Sequence, residues 1–161
     1  MKQFFILFFS IFVLRSYAQQ PPYSATYSSQ FEMGDAKNAQ AVLMLWKGWE
    51  NADFSAEARY YADSVTMYLA DGTMLHASKD SLIAANKILR NSFAKVESKI
   101  HAWVALRSTD KNENWVCVWG TDTSTDMNGK TESTEVSETW RFNREGKADL
   151  MYEYTAKTHE R

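Results

Sequence analysis

Between residues 115 and 155 the chain holds three runs rich in aromatic and β-branched side chains, 115–119, 135–142 and 150–155, separated by Asn128-Gly129 and Glu145-Gly146. Short runs of this composition bounded by turn residues read as strands, and Asn-Gly between two such runs is a strong hairpin signal. A three-stranded antiparallel meander therefore commits this part of the chain to one sheet, and the turns decide which side chains share a face. With two-residue loops, Met127 pairs with Lys130 and Arg144 with Lys147. That register sets Trp119 opposite Glu138, Cys117 opposite Trp140, Glu138 opposite Glu153 and Trp140 opposite Met151. One face then carries Trp115, Cys117, Trp119, Glu138, Trp140, Met151, Glu153 and Thr155. The other carries Val116, Val118, Thr139, Arg141, Tyr152 and Tyr154.

Upstream, Asp35 caps a helix in which Ala39, Val42, Leu43, Trp46 and Trp49 follow helical spacing, ending near Asn51 to Asp53. Ser55 caps a short helix through Tyr61, residues 65–69 alternate as a strand, and Asp71-Gly72 reads as a two-residue hairpin returning through residues 73–76. Ser78 or Asp80 caps a third helix with the stripe Leu82, Ala85, Leu89, Phe93 and Val96. Residues 99–107 read as a strand and 108–114 as a loop. Helices first and a run of strands afterwards argue for an α+β fold with the helices on one face of an antiparallel sheet.

The N-terminus has a separate logic. Met1-Lys2, the apolar run 4–14 and Ser16-Tyr17-Ala18 form a signal peptide, residues 1–18, with cleavage expected after Ala18. The run falls short of the roughly 20 residues that span a bilayer, so no stable membrane anchor is expected and the protein is read as exported, periplasmic or secreted. Residues 19–30 hold both prolines and read as a flexible linker ahead of one domain, 31–161. Losing Lys2 and Arg15 leaves 16 basic residues against 20 acidic and a net charge of −4, which argues against nucleic acid as a partner. Cys117 is the sole cysteine, so no intramolecular disulfide forms, and its place between two valines suits a buried structural thiol.

The segments Tyr61-Ala-Asp-Ser-Val-Thr-Met-Tyr-Leu-Ala-Asp-Gly72 and Thr139-Trp-Arg-Phe-Asn-Arg-Glu-Gly-Lys147, with this order of elements, resemble the nuclear transport factor 2-like superfamily, including its SnoaL-like and ketosteroid isomerase branches, over residues 31–158. The resemblance implies a cone-shaped, cystatin-like fold: a strongly bent antiparallel sheet wrapped around N-terminal helices, with an apolar pocket at the open end. It also implies a homodimer through the outer sheet face. Such folds host isomerases, dehydratases, cyclases, hydrolases and non-catalytic modules. Carried along Thr139 to Phe142, Glu138 falls where ketosteroid isomerases hold the carboxylic acid of the oxyanion hole. Their general base falls near Leu69 and their tyrosine near Leu45 or Trp46, so two of three catalytic positions are apolar here.

The pocket is thus expected to be lined by Trp46, Trp49, Tyr68, Trp103, Trp119, Trp140 and Met151. Glu138 is the main buried acid, with Glu153 or His101 as its partner, because adjacent carboxylates on an apolar face raise each other's pKa. Asp122 shares a face with Gly120 rather than with Trp119, which weakens its claim. His76, His101 and His159 lack metal-ligand spacing, and neither a glycine-rich phosphate loop nor a nucleophile elbow occurs, so no metal or cofactor is expected. Function reads first as the binding of a small apolar or aromatic molecule. The alternatives are a cofactor-independent acid-base enzyme using Glu138, and a structural homodimer through Tyr152 and Tyr154 with a vestigial pocket.

Overall fold

The Asp35 side chain accepts the backbone N–H of Lys37 at 2.9 Å and starts helix α1 (Ala36–Asn51), which ends where Ala52 turns left-handed at φ 56°. Ala39, Val42, Leu45 and Trp46 form its buried stripe. The computed structural model describes residues 22–55 and 57–158, so the expected signal peptide lies outside the described residues. A short helix α2 (Glu57–Tyr60) follows, and α3 (Lys79–Arg90) begins on Ser78, whose hydroxyl accepts the N–H of Ser81. Tyr61 opens a strand instead of closing α2, and the stripe assigned to the third helix breaks at Arg90. Phe93 and Val96 belong to the strand after it, which the period of Leu82, Ala85 and Leu89 concealed.

Seven strands, β1 (Phe31–Met33), β2 (Tyr61–Tyr68), β3 (Met74–Ser78), β4 (Phe93–Ser108), β5 (Asn114–Asp126), β6 (Thr131–Phe142) and β7 (Ala148–Lys157), form one sheet in the order β1-β4-β5-β6-β7-β2-β3. Every neighbouring pair is antiparallel except β2 with β7, which run parallel. The sheet is curved and open, α1 lies against β4 and β5, and α3 against β2 and β3. Val42, Trp46, Val65, Val116, Val118 and Trp140 belong to the core between them.

Arg90 fixes the helices to each other. It is 7 % exposed, and its guanidinium donates to the carbonyls of Trp49 at 2.7 Å, Glu50 at 3.0 Å and Phe93 at 3.0 Å. Two of these are among the last carbonyls of α1, which have no partner inside the helix.

The three tight turns each enclose three residues, not two. Leu69 closes on Thr73, Asp126 on Lys130 and Asn143 on Lys147, and the third loop residue, Gly72, Gly129 or Gly146, has φ 87°, 84° or 72°. This is a type I turn followed by a left-handed residue, which glycine adopts without strain. The extra residue displaces the β5–β6 register by one, so Glu138 pairs with Val118, Ser137 with Trp119 and Thr139 with Cys117. In the β6–β7 hairpin a bulge between Arg141 and Phe142, with Asp149 as the additional residue, absorbs the same displacement. Glu138 therefore does pair with Glu153, and Trp140 with Met151.

Tyr27, near the end of the lead-in segment, lies on the outer face of the sheet. Its ring packs edge-on to Trp115 at 5.1 Å and its hydroxyl hydrogen-bonds that of Tyr152.

Candidate functional site

The face of the sheet that carries the helices holds a half-open cavity of about 570 Å³. Leu45, Trp46 and Trp49 of α1 and Ala85, Asn86 and Leu89 of α3 bound it on one side. Asp122 of β5, Val136, Glu138 and Trp140 of β6, Met151 and Glu153 of β7, and Tyr61 and Met67 of β2 bound it on the other.

At its wall, Glu138 Oε2 accepts two indole N–H groups, from Trp46 at 2.6 Å and from Trp140 at 2.8 Å. Both bonds converge on one oxygen, and Oε1 takes no hydrogen bond among the described residues. Gly120 makes the approach of Trp46 possible. A Cβ there would stand 2.9 Å from the indole ring and 2.8 Å from the Lys99 carbonyl oxygen.

Burial pushes the Glu138 carboxyl up to about 7. The two indole bonds oppose that rise, and the charges of Glu153 and Asp122 reinforce it. Burial also raises Glu153, with Asp122 and Asp71 adding to the effect. Asp122 is raised by burial as well, although the Ser98 hydroxyl donates to it at 2.6 Å. Tyr61 stacks on Trp140 with ring centroids 6.1 Å apart, and burial lifts its phenol well above the usual tyrosine range. Glu57 of α2, 3 % exposed, is pushed up to about 7 by burial.

Of the residues expected at the pocket, Trp46, Trp49, Glu138, Trp140, Met151 and Glu153 line this cavity. Trp119, Tyr68, Trp103 and His101 do not. The one-residue register change turns Trp119 to the outer face, where it is 41 % exposed. Tyr68 alternates with the inward Met67 and stacks on Tyr152 at 4.6 Å, outside the cavity. Trp103 pairs with Val118 but stands 53 % exposed and is not among the lining residues. His101 falls at a bulge between Ile100 and Ala102, and its Nε2 meets Thr121 Oγ1 at 3.0 Å on the outer face near Glu135.

The same register change brings Asp122 inward, so the argument from Gly120 that counted against it becomes the reason it lines the cavity. Glu57 and Tyr61 are further acidic and phenolic groups that the strand pattern did not place there. Tyr61 carried a signal, since it opens the first segment that resembles a known superfamily. Glu57 carried none, because a buried glutamate on one turn of helix has no pattern to betray it. Leu69, near the expected position of a base, and Leu45, one of the two expected near that of a tyrosine, line the cavity and are apolar, while Trp46, the other, donates its indole N–H to Glu138.

No protein-family model and no curated protein matches the sequence. Solved structures do match. An NTF2-like protein of unknown function from Exiguobacterium sp. 255-15 superposes with a TM-score of 0.59 at 12 % identity, over 73 % of this chain and 99 % of that one. A putative SnoaL-like polyketide cyclase from Shewanella denitrificans OS-217 gives 0.61 at 14 % identity, over 76 % and 92 %. An LEH-like epoxide hydrolase from M. tuberculosis gives 0.60 at 15 % identity, over 75 % and 84 %.

Proposed function

The chain has the nuclear transport factor 2-like fold, and on that footing we propose that it is an acid-base enzyme acting on a small, largely apolar molecule, with Glu138 as its proton-transfer group. The observation that carries this reading is the clamp on one carboxylate oxygen. With Oε2 occupied by two indole N–H groups, Oε1 is the atom left to meet a ligand. A group near 7 is populated in both protonation states at neutral pH, which favours proton transfer in either direction. In the neutral form the proton sits on Oε1, because the lone pairs of Oε2 are engaged by the indoles. Oε1 then donates to a substrate oxygen, or in the ionised form removes a proton from substrate carbon or oxygen. Glu153, directly across the strand pair, and Asp122 are the second acids that return or relay the proton. Cyclisation and epoxide opening, the reactions named for two of the structural neighbours, both need such a group.

A suitable probe is 5-nitrobenzisoxazole, an apolar aromatic whose ring opens on loss of one proton to a carboxylate. The chain should accelerate that opening, with a rate that rises through about pH 7 and is lost in Glu138→Gln. Absence of acceleration over buffer at any pH would sink the role of Glu138 as a base.

A binding module without turnover is the second reading, favoured by the apolar Leu69 near the position where a general base would stand. In either case we place the protein outside the cytoplasm, on the strength of residues 1–18. We further propose a homodimer through the outer sheet face, where Trp119 and Tyr154 stand exposed.

A further inference from the structure

Four carboxyl groups, those of Glu57, Asp122, Glu138 and Glu153, line the cavity, and no Lys, Arg or His is among its described lining residues. Buried carboxylates are normally paired with a cation or a metal, because taking the charge out of water is costly. Glu57 is buried and the other three are half-buried, and their protein partners are neutral: two indoles for Glu138, the Ser98 hydroxyl for Asp122, the Asn86 amide for Glu57 and the Ala70 backbone for Glu153. Lys87, the cation that acts on Glu57, is exposed on α3 and does not line the cavity.

Glu57 adds a sign of its own. It is 3 % exposed, and its hydrogen bond from Asn86, to Oε2, is long at 3.5 Å. Oε1 has no partner among the described residues, and no fully enclosed side-chain oxygen there lacks one. Oε1 is therefore not fully enclosed, and Glu57 is among the residues that line the cavity. The remaining wall is rich in aromatic surface, from Trp46, Trp49, Tyr61, Phe93 and Trp140, whose ring faces attract positive charge.

We infer that the ligand of this cavity is an organic cation, an aromatic or alicyclic amine whose ammonium group sits by Glu138, Glu153 and Asp122 while its apolar body packs against the tryptophans. The inference rests on reading the cavity as the ligand site. An anion would be repelled by whichever of the four acids are ionised, and a neutral ligand would leave those acids without a counter-charge. An ammonium beside Glu138 also favours the ionised carboxylate, the form that accepts a proton. A cavity of about 570 Å³ accommodates a bicyclic amine.

The test is calorimetric titration of the purified chain at pH 7 with three ligands that share one ring system: 2-(1-naphthyl)ethylamine, 2-(1-naphthyl)ethanol and 1-naphthylacetate. The amine should bind at least tenfold more tightly than the alcohol, and the acetate should give no measurable binding. Glu153→Gln and Asp122→Asn should each shrink the ratio of amine to alcohol affinity. If the alcohol binds as tightly as the amine, the cation inference falls while the cavity remains a ligand site. Failure of all three to bind overturns both. A ratio that neither substitution moves removes these carboxylates as the source of the preference and overturns the proposed placement.

Discussion

The indole N–H of Trp46, on α1, reaches Glu138 Oε2, on β6, at 2.6 Å across 92 positions of sequence. The bond makes the cavity acid and the helix packing one unit. Trp46→Phe keeps a ring in the core and deletes the donor. Because that donor stabilises the carboxylate, Glu138 should titrate higher than in the parent, and any pH-rate profile should move to higher pH. The protein should lose about 1–3 kcal/mol, the cost of a hydrogen bond to a charged group, measured by urea unfolding at pH 8.

Glu138 also makes stability depend on pH, with a sign opposite to that of a salt-bridged carboxylate. Its ordinary value is 4.5 and the native value about 7, so between those limits the native state holds a proton that the unfolded chain releases. Stability should be greatest below about pH 4.5 as far as this group is concerned, decline as pH rises, and level off above about 7. Glu57 adds a slope in the same window. In Glu138→Gln the slope should shrink without vanishing. Between pH 5 and pH 8 the variant should gain on the parent by on the order of 3 kcal/mol, read from paired urea titrations. An unchanged slope would mean that this carboxyl is solvated.

Gly120→Ala places a methyl group against the Trp46 ring and the Lys99 carbonyl. The clash with backbone cannot be relieved by a side-chain rotation, so a loss of about 1–3 kcal/mol is expected. Near-ultraviolet circular dichroism of the tryptophans should change with it, and Glu138 should lose its Trp46 bond. A variant with parental stability and spectrum would show that the indole does not lie against β5.

On the outer face, Tyr154 is 64 % exposed and Trp119 41 %. If this face joins two copies of the chain, Tyr154→Glu should reduce the sedimenting mass from dimer to monomer without altering the far-ultraviolet spectrum. A parent that already sediments as a monomer would remove the interface.

How far the sequence determines this arrangement is clearest in the two hairpins. Both loops were legible as turns, and Glu138 opposite Glu153 follows from the pattern. Loop length was the hidden variable. Asp126 stands three residues before Gly129, and Asn143 three before Gly146, the positions that type I turns prefer for these residue types. In the structure Asp126 accepts the N–H groups of Asn128 and Lys130, at 2.8 Å and 2.9 Å, which fixes the longer loop. In the second hairpin Asp149 is inserted as a bulge beside its bonds to Arg141, and the expected pairing returns. Hydrophobic alternation alone could not reveal the difference, since Trp115 to Trp119 offers apolar side chains on both faces. Trp119 and Asp122 exchanged roles on that one residue. The helices around Asp35 and Ser78 were legible from their caps. Glu57 was not, because its burial depends on what α3 and β2 bring to it.

The parallel pairing of β2 with β7 has a bearing on how the chain matures. β2 and β7 are far apart in sequence, so the wall that carries Met151 and Glu153 joins the wall that carries Tyr61 and Met67 only after β3 to β6 have been made. Contacts of such long sequence separation form late and slowly. Until then Met67 and Val65 lie beside an unfilled strand edge, the kind of surface that a chaperone recognises and that aggregates if left bare. The cavity is consequently a product of the assembled sheet, and a polypeptide stopped short of residue 148 lacks the wall that Met151 and Glu153 provide.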